Sequence, residues 1–520
     1  MRDFLSYLFL YILNIKYSMI VNTEIHDYTR NGVPVLDQYG RTQKFLYISY
    51  VDKDHTVKPF FWMIPNELMY QWKYATKDDV PDTVYKSWDG KPVVKKPITD
   101  KFSEQRVHEI IMDLERWFPE NEQLKEIRQM HIPNTAYLDI EVDVDDEGFP
   151  EAKDAKRPIN TVSIVVDDIV YVLGLANLTQ EEIQWIQDEI TKHCERFDTD
   201  YKFVYRYHSS EFSLMNDLVF NFIDKLECVT GWNWFGYDWP YIFNRAHNIG
   251  LDITGLSPTK TWFQYKPQDV AADTIKLPMH KCMYDYMELY KKHDRSVSPK
   301  VSNKLDWVAD KVLGVKKVVH QLGFKEMWEK QKKEYVFYDA IDGVLVKEID
   351  KKLKTSSVMF GLASLMNVPV LSTYSSTKSI EIVQAEYLYR ENKVFPVTKK
   401  DKEKKEYEGA FVFAPIPGIY RNVYCLDYAS LYPTTMRQFN ISPDTLLFKD
   451  KTHIPKENEI KCTNGCVYTN EFEGFIPKIL SDYFAKRKEY KKMMMNAEKE
   501  KYRLMEILKE REKKLKNNLQ

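Results

Sequence analysis

Four stretches of this 520-residue chain carry acids in settings where acids can do chemistry. In the first, NTAYLDIEVDV from Asn134 to Val144, Leu138, Ile140 and Val142 share one face of a predicted strand, and Tyr137, Asp139, Glu141 and Asp143 share the other. Carboxylates crowded on one strand face repel unless solvent or a cation neutralises them. A solvated edge and a divalent-ion site both satisfy that requirement, since hard ions take several carboxylate oxygens at once. The second stretch, VTGWNWFGYDWPYI from Val229 to Ile242, predicts a short strand, a tight turn at Gly236 and a helix starting near Pro240. Asp238 just before that helix has the place of an ordinary N-cap. The third is KKEYVFYDAIDGVLVKEIDKKL, where Tyr338 and Asp342 fall on one helix face; alone, they are an ordinary surface pair. The fourth, YCLDYASLYPTTMRQFNISP from Tyr424 to Pro443, follows a predicted buried strand at Val423 to Leu426 with Asp427, and Pro433 stops the run.

These acids sit in a chain long enough for three or four domains, with 44% hydrophobic and 14% aromatic residues to build cores. Residues 19 to about 130 read as mixed strands and loops, with a hairpin over Phe45–Tyr50 and Thr56–Met63 turning at Asp52-Lys53-Asp54, and a helix over Ser103–Trp117. Phe60, Phe61 and Trp62 are core candidates more than base-stacking ones. Thr161–Val166 and Val170–Gly174 follow the first acidic strand with hairpin spacing. Lys351 to Lys400 reads as helix, loop, helix, and Lys399–Lys405 as an exposed connector. The apolar run Phe4 to Ile15 is too short to span a bilayer, and a start at Met19 is preferred.

Six scattered cysteines fit a reducing compartment without a disulfide framework. Cys462 and Cys466 flank Asn464-Gly465, a hairpin signal that is a better reading than zinc. The 11 histidines show no paired metal spacing, and nothing calls for a Ser/His/Asp triad or a cysteine nucleophile. The net charge of −2 excludes bulk polyanion binding. Residues 485–520 are nevertheless basic, with 13 Lys/Arg against 6 Asp/Glu, which suits either phosphate binding or a solvated helix face.

Taken together, D-I-E at Asp139 and Glu141, G-W-N-x-x-G-Y-D from Gly231 to Asp238, and Y-x-x-x-D at Tyr338 and Asp342 resemble, in order and spacing, the three motifs of the proofreading 3′–5′ exonuclease. D-x-x-S-L-Y-P at Asp427 to Pro433, followed by N-I-S-P, lies downstream. The set resembles family B DNA polymerases, most like the replicative type of tailed phages. The resemblance implies an α/β multidomain fold: an N-terminal mixed α/β domain (19–133), a ribonuclease-H-like exonuclease domain (134–355), a return segment (356–400), a partial palm (401–484) and a first fingers helix (485–520).

It further implies that Asp139, Glu141, Asp238 and Asp342 hold two Mg²⁺ or Mn²⁺ ions, with Tyr338 positioning the attacking water and Asn233 contacting the strand. Asp427 would be a metal ligand of the polymerase centre, with Ser430, Leu431 and Tyr432 at the nucleotide. Arg487 and Lys491 would grip the triphosphate, and Tyr407 and Gly409 would contact the template. The implied ligands are a DNA primer-template, single-stranded 3′ ends and dNTPs; a sliding clamp is a further implied partner, a membrane is not, and the compartment is the cytoplasm, of a host if the protein is viral. The family's returning fingers helix, D-T-D motif and thumb are not found in the sequence. The expectation is therefore half of a split polymerase completed by a C-terminal polypeptide; the alternatives are a product acting only as an exonuclease, or a non-catalytic DNA-binding remnant.

Overall fold

The computed structural model describes residues 19–27, 29–30, 33–34, 43–51, 57–98, 103–118, 120–121, 133–145, 148–257, 262–267, 274–279, 281–293, 302–315, 322–397 and 413–518. The segment before Met19, the Asp52-Lys53-Asp54 turn, the Lys399–Lys405 connector and the pair Tyr407 and Gly409 lie outside them. The chain divides into two compact units, one within 1–63, 115–379 and 493–520, the other within 64–114 and 380–492.

In the first unit, β1 (Met19–Asp27), β2 (Lys44–Val51) and β3 (Val57–Met63) form an antiparallel sheet, with the predicted hairpin at β2 and β3. Phe60 is buried as a core residue, whereas Phe61 is about half exposed. The acids belong to a second, six-stranded sheet. Its strands are β4 (Thr135–Val142), β5 (Ile159–Val166), β6 (Ile169–Gly174), β7 (Lys202–Tyr207), β8 (Cys228–Gly231) and β9 (Cys282–Asp285), ordered β7-β6-β5-β4-β8-β9. β4 to β6 are an antiparallel meander, while β8 runs parallel to β4 and β9 parallel to β8. β4 is therefore an interior strand, and the solvated-edge reading of its acids fails.

Helices cover both faces of this sheet. On one lie α1 (Gln180–Cys194), started by a Thr179/Glu182 capping box, and α3 (Lys332–Leu353). On the other lies α2 (Asp238–Asn248), packed through Trp239, Tyr241 and Ile242 on Leu138, Ile140 and Val142. Residues 335–346 of α3 are all buried, charged ones included. A helix without a solvated face is a core helix, so Tyr338 and Asp342 are not the surface pair their spacing alone suggests.

In the second unit, a short antiparallel pair (Tyr70–Tyr74 with Val93–Pro97) packs beside the helix starting at Glu104. Arg106 there donates to Glu109 at 2.8 Å and to the carbonyls of Leu68 and Tyr70 at 3.0 Å. The Tyr389 hydroxyl, on the helix Ser376–Arg390, donates to Asp113 at 2.8 Å. Further along come α4 (Leu431–Gln438), the three-stranded sheet of β10 (Leu446–Lys449), β11 (Glu459–Lys461) and β12 (Cys466–Thr469), and the part of α5 (Phe475–Asn518) up to residue 492. The Cys462–Cys466 hairpin forms, closed by Cys462 N–H to Cys466 O at 2.8 Å with Gly465 left-handed at φ 88°.

The predicted buried strand at Val423 to Leu426 does not form. Val423 is 72% and Leu426 95% exposed, and the backbone takes no strand there. Apolar β-prone residues make a strand only when a neighbouring chain accepts their backbone hydrogen bonds; among the described residues none does so.

Candidate metal-dependent active site

Three elements converge on one place in the first unit. β4 carries Asp139 and Glu141 on the side facing α3, and its register sets Ser163 and Thr161 of β5 opposite them. From α3 comes Asp342. One oxygen from each of Asp139, Glu141 and Asp342 can be chosen so that all three lie within 4.8 Å of one another, though about 200 residues separate strand from helix. Asp143, two residues past Glu141, belongs elsewhere: it lies 3.8 Å from the Arg157 guanidinium.

Asp238 arrives by a different route. It is the first residue of α2, with Tyr237 at the N-cap position, so the predicted capping role is not the observed one. Its Oδ1 accepts from the backbone N–H of Ile140 at 3.3 Å, the peptide between Asp139 and Glu141. Asp238 thus stands beside the three-acid group, outside its 4.8 Å limit.

The loop that delivers Asp238 is tightly built. Asn233 is left-handed at φ 63°, and its carbonyl accepts from Gly236 and Tyr237 at 2.9 and 3.0 Å. A Cβ on Gly236 would lie 2.2 Å from Asn233 Oδ1, and one on Gly231 would lie 2.4 Å from the Leu138 carbonyl oxygen. Asp285, at the end of β9 opposite Gly231, accepts from the Phe235 N–H at 2.8 Å and the Glu288 N–H at 3.0 Å. Burial pushes its carboxyl up to about 6, against the backbone donors that pull it down.

Tyr338 is buried beside Phe324, edge to face at 5.4 Å, one turn before Asp342 on α3. Gly343 lets the helix approach the sheet, since a Cβ there would meet Val165 Cγ2 at 2.9 Å and Ser163 Oγ at 3.3 Å. No motif in the sequence marks Gly343, Asp285 or Asp339. Asp339 is wholly buried on α3. Burial, opposed by Thr161 and Ser163 and assisted by Asp342, raises its carboxyl to about 7. The only signal for Asp339 in the sequence is its place three residues before Asp342, which a surface acid would share.

The electrostatics fit a cation-binding centre. Asp139 is held well above the usual carboxylate range, first by burial and then by the charges of Asp238, Asp342, Glu141 and Asp339. Asp238 is likewise raised well above that range, chiefly by burial. Acids that repel one another this strongly are stabilised by divalent cations, and an all-carboxylate donor set suits hard ions such as Mg²⁺ or Mn²⁺. The described residues hold no other group of three His, Cys, Asp or Glu with such geometry.

The second unit gathers part of the other predicted set. Arg487 on α5 donates to Ser430 Oγ at 3.1 Å, joining two predicted nucleotide-binding residues 57 positions apart. Lys491 follows one turn later and is exposed, as are Asp427, Leu431 and Tyr432. The firmly held part of this region is the N-I-S-P stretch. Asn440 is buried and left-handed at φ 50°; its amide donates to the Thr469 and Phe472 carbonyls at 2.8 Å and its oxygen accepts from Gly474 N–H at 2.9 Å.

Comparison with known proteins agrees with both regions. Residues 94–308 match the exonuclease domain of DNA polymerase family B, and residues 368–517 match DNA polymerase family B itself. The chain belongs to DNA polymerase family B. Among its relatives, the DNA-directed DNA polymerase of Escherichia phage RB69 is 29% identical over 389 residues, covering 70% of this chain and 42% of the relative. That of Enterobacteria phage T4 is 30% identical over 391 residues, covering 70% and 43%. A DNA polymerase of Archaeoglobus fulgidus is 26% identical over 409 residues, covering 76% and 45%. The chain thus spans less than half the length of these relatives. Tyr338 and Asp342 fall between the two matched ranges, and it is the fold that brings Asp342 to Asp139 and Glu141.

Proposed function

We propose that this chain hydrolyses 3′-terminal nucleotides of DNA as a two-metal proofreading exonuclease, within a domain spanning residues 134–355. The observation that carries the reading is the meeting of Asp139, Glu141 and Asp342 oxygens, with Asp238 fixed to the intervening peptide. These four acids would hold two Mg²⁺ or Mn²⁺ ions. When bound, the ions supply an activated water nucleophile near neutral pH and offset charge on the leaving 3′-oxygen. The rigid strand and core helix keep the acids in place without rearrangement, which favours the charge that develops during cleavage. Tyr338 would orient the attacking water, its ring fixed by Phe324. Asn233 would contact the terminal strand from the half-buried loop before Asp238.

The reading extends to a contribution to dNTP polymerisation. Asp427 would be one metal ligand of that centre, Ser430, Leu431 and Tyr432 would border the nucleotide, and Arg487 and Lys491 would bind its phosphates, as a guanidinium and an ammonium one helical turn apart can. Tyr407 and Gly409 would contact the template. The remaining residues of a polymerase centre would come from sequence outside these 520 residues, in the same or another polypeptide. A 5′-labelled primer on a longer template, incubated with the chain and Mg²⁺, is the test. Shortening from the 3′ end supports the reading, and an intact primer that remains bound to the chain overturns it.

A further inference from the structure

The buried acids of α3 are not alike. Asp350 accepts from the Tyr137 hydroxyl at 2.7 Å, the Thr355 hydroxyl at 3.1 Å and the Ser356 N–H at 3.0 Å. Glu348 accepts from the hydroxyls of Tyr201 at 2.7 Å and Thr199 at 3.2 Å. Both are satisfied by the fold, as buried carboxylates ordinarily are. Asp339, on the same helix, is 0% exposed, and no hydrogen bond of ordinary length and angle reaches either of its oxygens. The donors nearest it are the Thr161 and Ser163 hydroxyls and the Ser163 backbone N–H, which pull its carboxyl down without completing a bond of ordinary geometry; the β4–β5 register sets these residues against Glu141 and Asp139. It lies three residues before Asp342 on α3, against the β5 residues that pair with Glu141 and Asp139, and its charge is felt by Asp139, Asp238 and Asp342.

A buried carboxylate whose nearest donors fall short of ordinary geometry, beside three other acids, is costly to the empty fold. An asparagine would fill the same space without that cost. Asp339 is also outside the three-acid group whose oxygens lie within 4.8 Å of one another, so it does not share their position. We propose that Asp339 is a positioning residue of the metal centre, a fifth carboxylate behind the ligands whose charge raises the affinity of the site for divalent cations.

This inference rests on the metal-dependent exonuclease reading, and direct Mn²⁺ binding separates the two. Mn²⁺ titration of the full chain, followed by electron paramagnetic resonance, is compared for the unaltered chain, Asp339→Asn and Asp339→Glu. The expected result is Mn²⁺ affinity weakened about tenfold in Asp339→Asn, in the range usual for groups behind metal ligands. Asp339→Glu should keep affinity within about threefold, because charge and not shape is what the site uses. The metal-free melting temperature of Asp339→Asn should be no lower than that of the unaltered chain. Unchanged Mn²⁺ affinity in Asp339→Asn overturns the inference. So does a metal-free Asp339→Asn chain that is destabilised or unfolded, since loss of charge at constant shape would then mark a structural role. Absence of Mn²⁺ binding by the unaltered chain overturns the exonuclease reading itself.

Discussion

Two predicted metal-binding acids in this chain have opposite surroundings. Asp139 lies on an interior strand under a core helix, with its charge in the company of Glu141, Asp238, Asp339 and Asp342. Asp427 lies in an exposed stretch whose apolar neighbours, Leu426 and Tyr428, are 95% and 77% exposed. Both come from recognisable motifs. The difference is that the first acid has its partners within the described fold, whereas among the described residues the second lies in a loop near the Arg487–Ser430 contact. A motif marks which residues a site would use; burial and convergence mark whether the site is assembled.

The largest expected effect breaks the assembled side of this comparison. Asp139→Ala should lower single-strand degradation on the order of a thousandfold, as loss of a principal charge-stabilising group does. The melting temperature should stay the same or rise, because a source of repulsion is removed. Gel assays of a labelled strand, with thermal melts alongside, check both.

Next is the glycine that lets β8 approach β4. Gly231→Ala puts a Cβ 2.4 Å from a backbone oxygen that cannot swing away. The expected loss is about 1–3 kcal/mol of stability, measured by urea unfolding, with lowered cleavage because the loop carrying Asp238 is displaced.

A smaller effect sharpens the comparison through pH. Asp339 and Asp285 titrate in the fold near about 7 and about 6, above the ordinary aspartate value. A folded acid with a raised pKa holds its proton longer than the unfolded chain does. Its contribution to stability is therefore present at low pH and lost as pH rises through the folded value. In EDTA the first unit should lose that contribution between about pH 4 and pH 7. Added Mg²⁺ should restore stability, and the gap between the melting temperatures with Mg²⁺ and with EDTA should widen from pH 5 to pH 8. A gap that narrows over this range would count against a metal centre at these acids.

The smallest effect falls on the open side. Asp427→Ala should leave exonuclease rate unchanged and alter stability by less than about 0.5 kcal/mol, as exposed substitutions do. A parallel loss of exonuclease activity would show that the two acids are not the independent sites their surroundings suggest.

The sequence by itself determined the meander of β4 to β6, the turn at Gly231–Asp238 and the long helix with Tyr338 and Asp342. Strict alternation, glycine-marked turns and helical spacing are local properties, readable from types and intervals. It also named Asp139, Glu141, Asp238 and Asp342. Tertiary structure decided which side of each element was buried and what it met. The acids of β4 stand on an interior strand, Glu141 buried and Asp139 half-buried, because β5 and β8 flank that strand and α3 covers it. Asp238 binds the Ile140 peptide instead of capping its own helix. Asp339 separates from Asp350 only by which donors reach each, and the run before Asp427 stays open because no strand pairs with it. Burial and pairing depend on residues hundreds of positions away, and no local pattern along the chain encodes that distance.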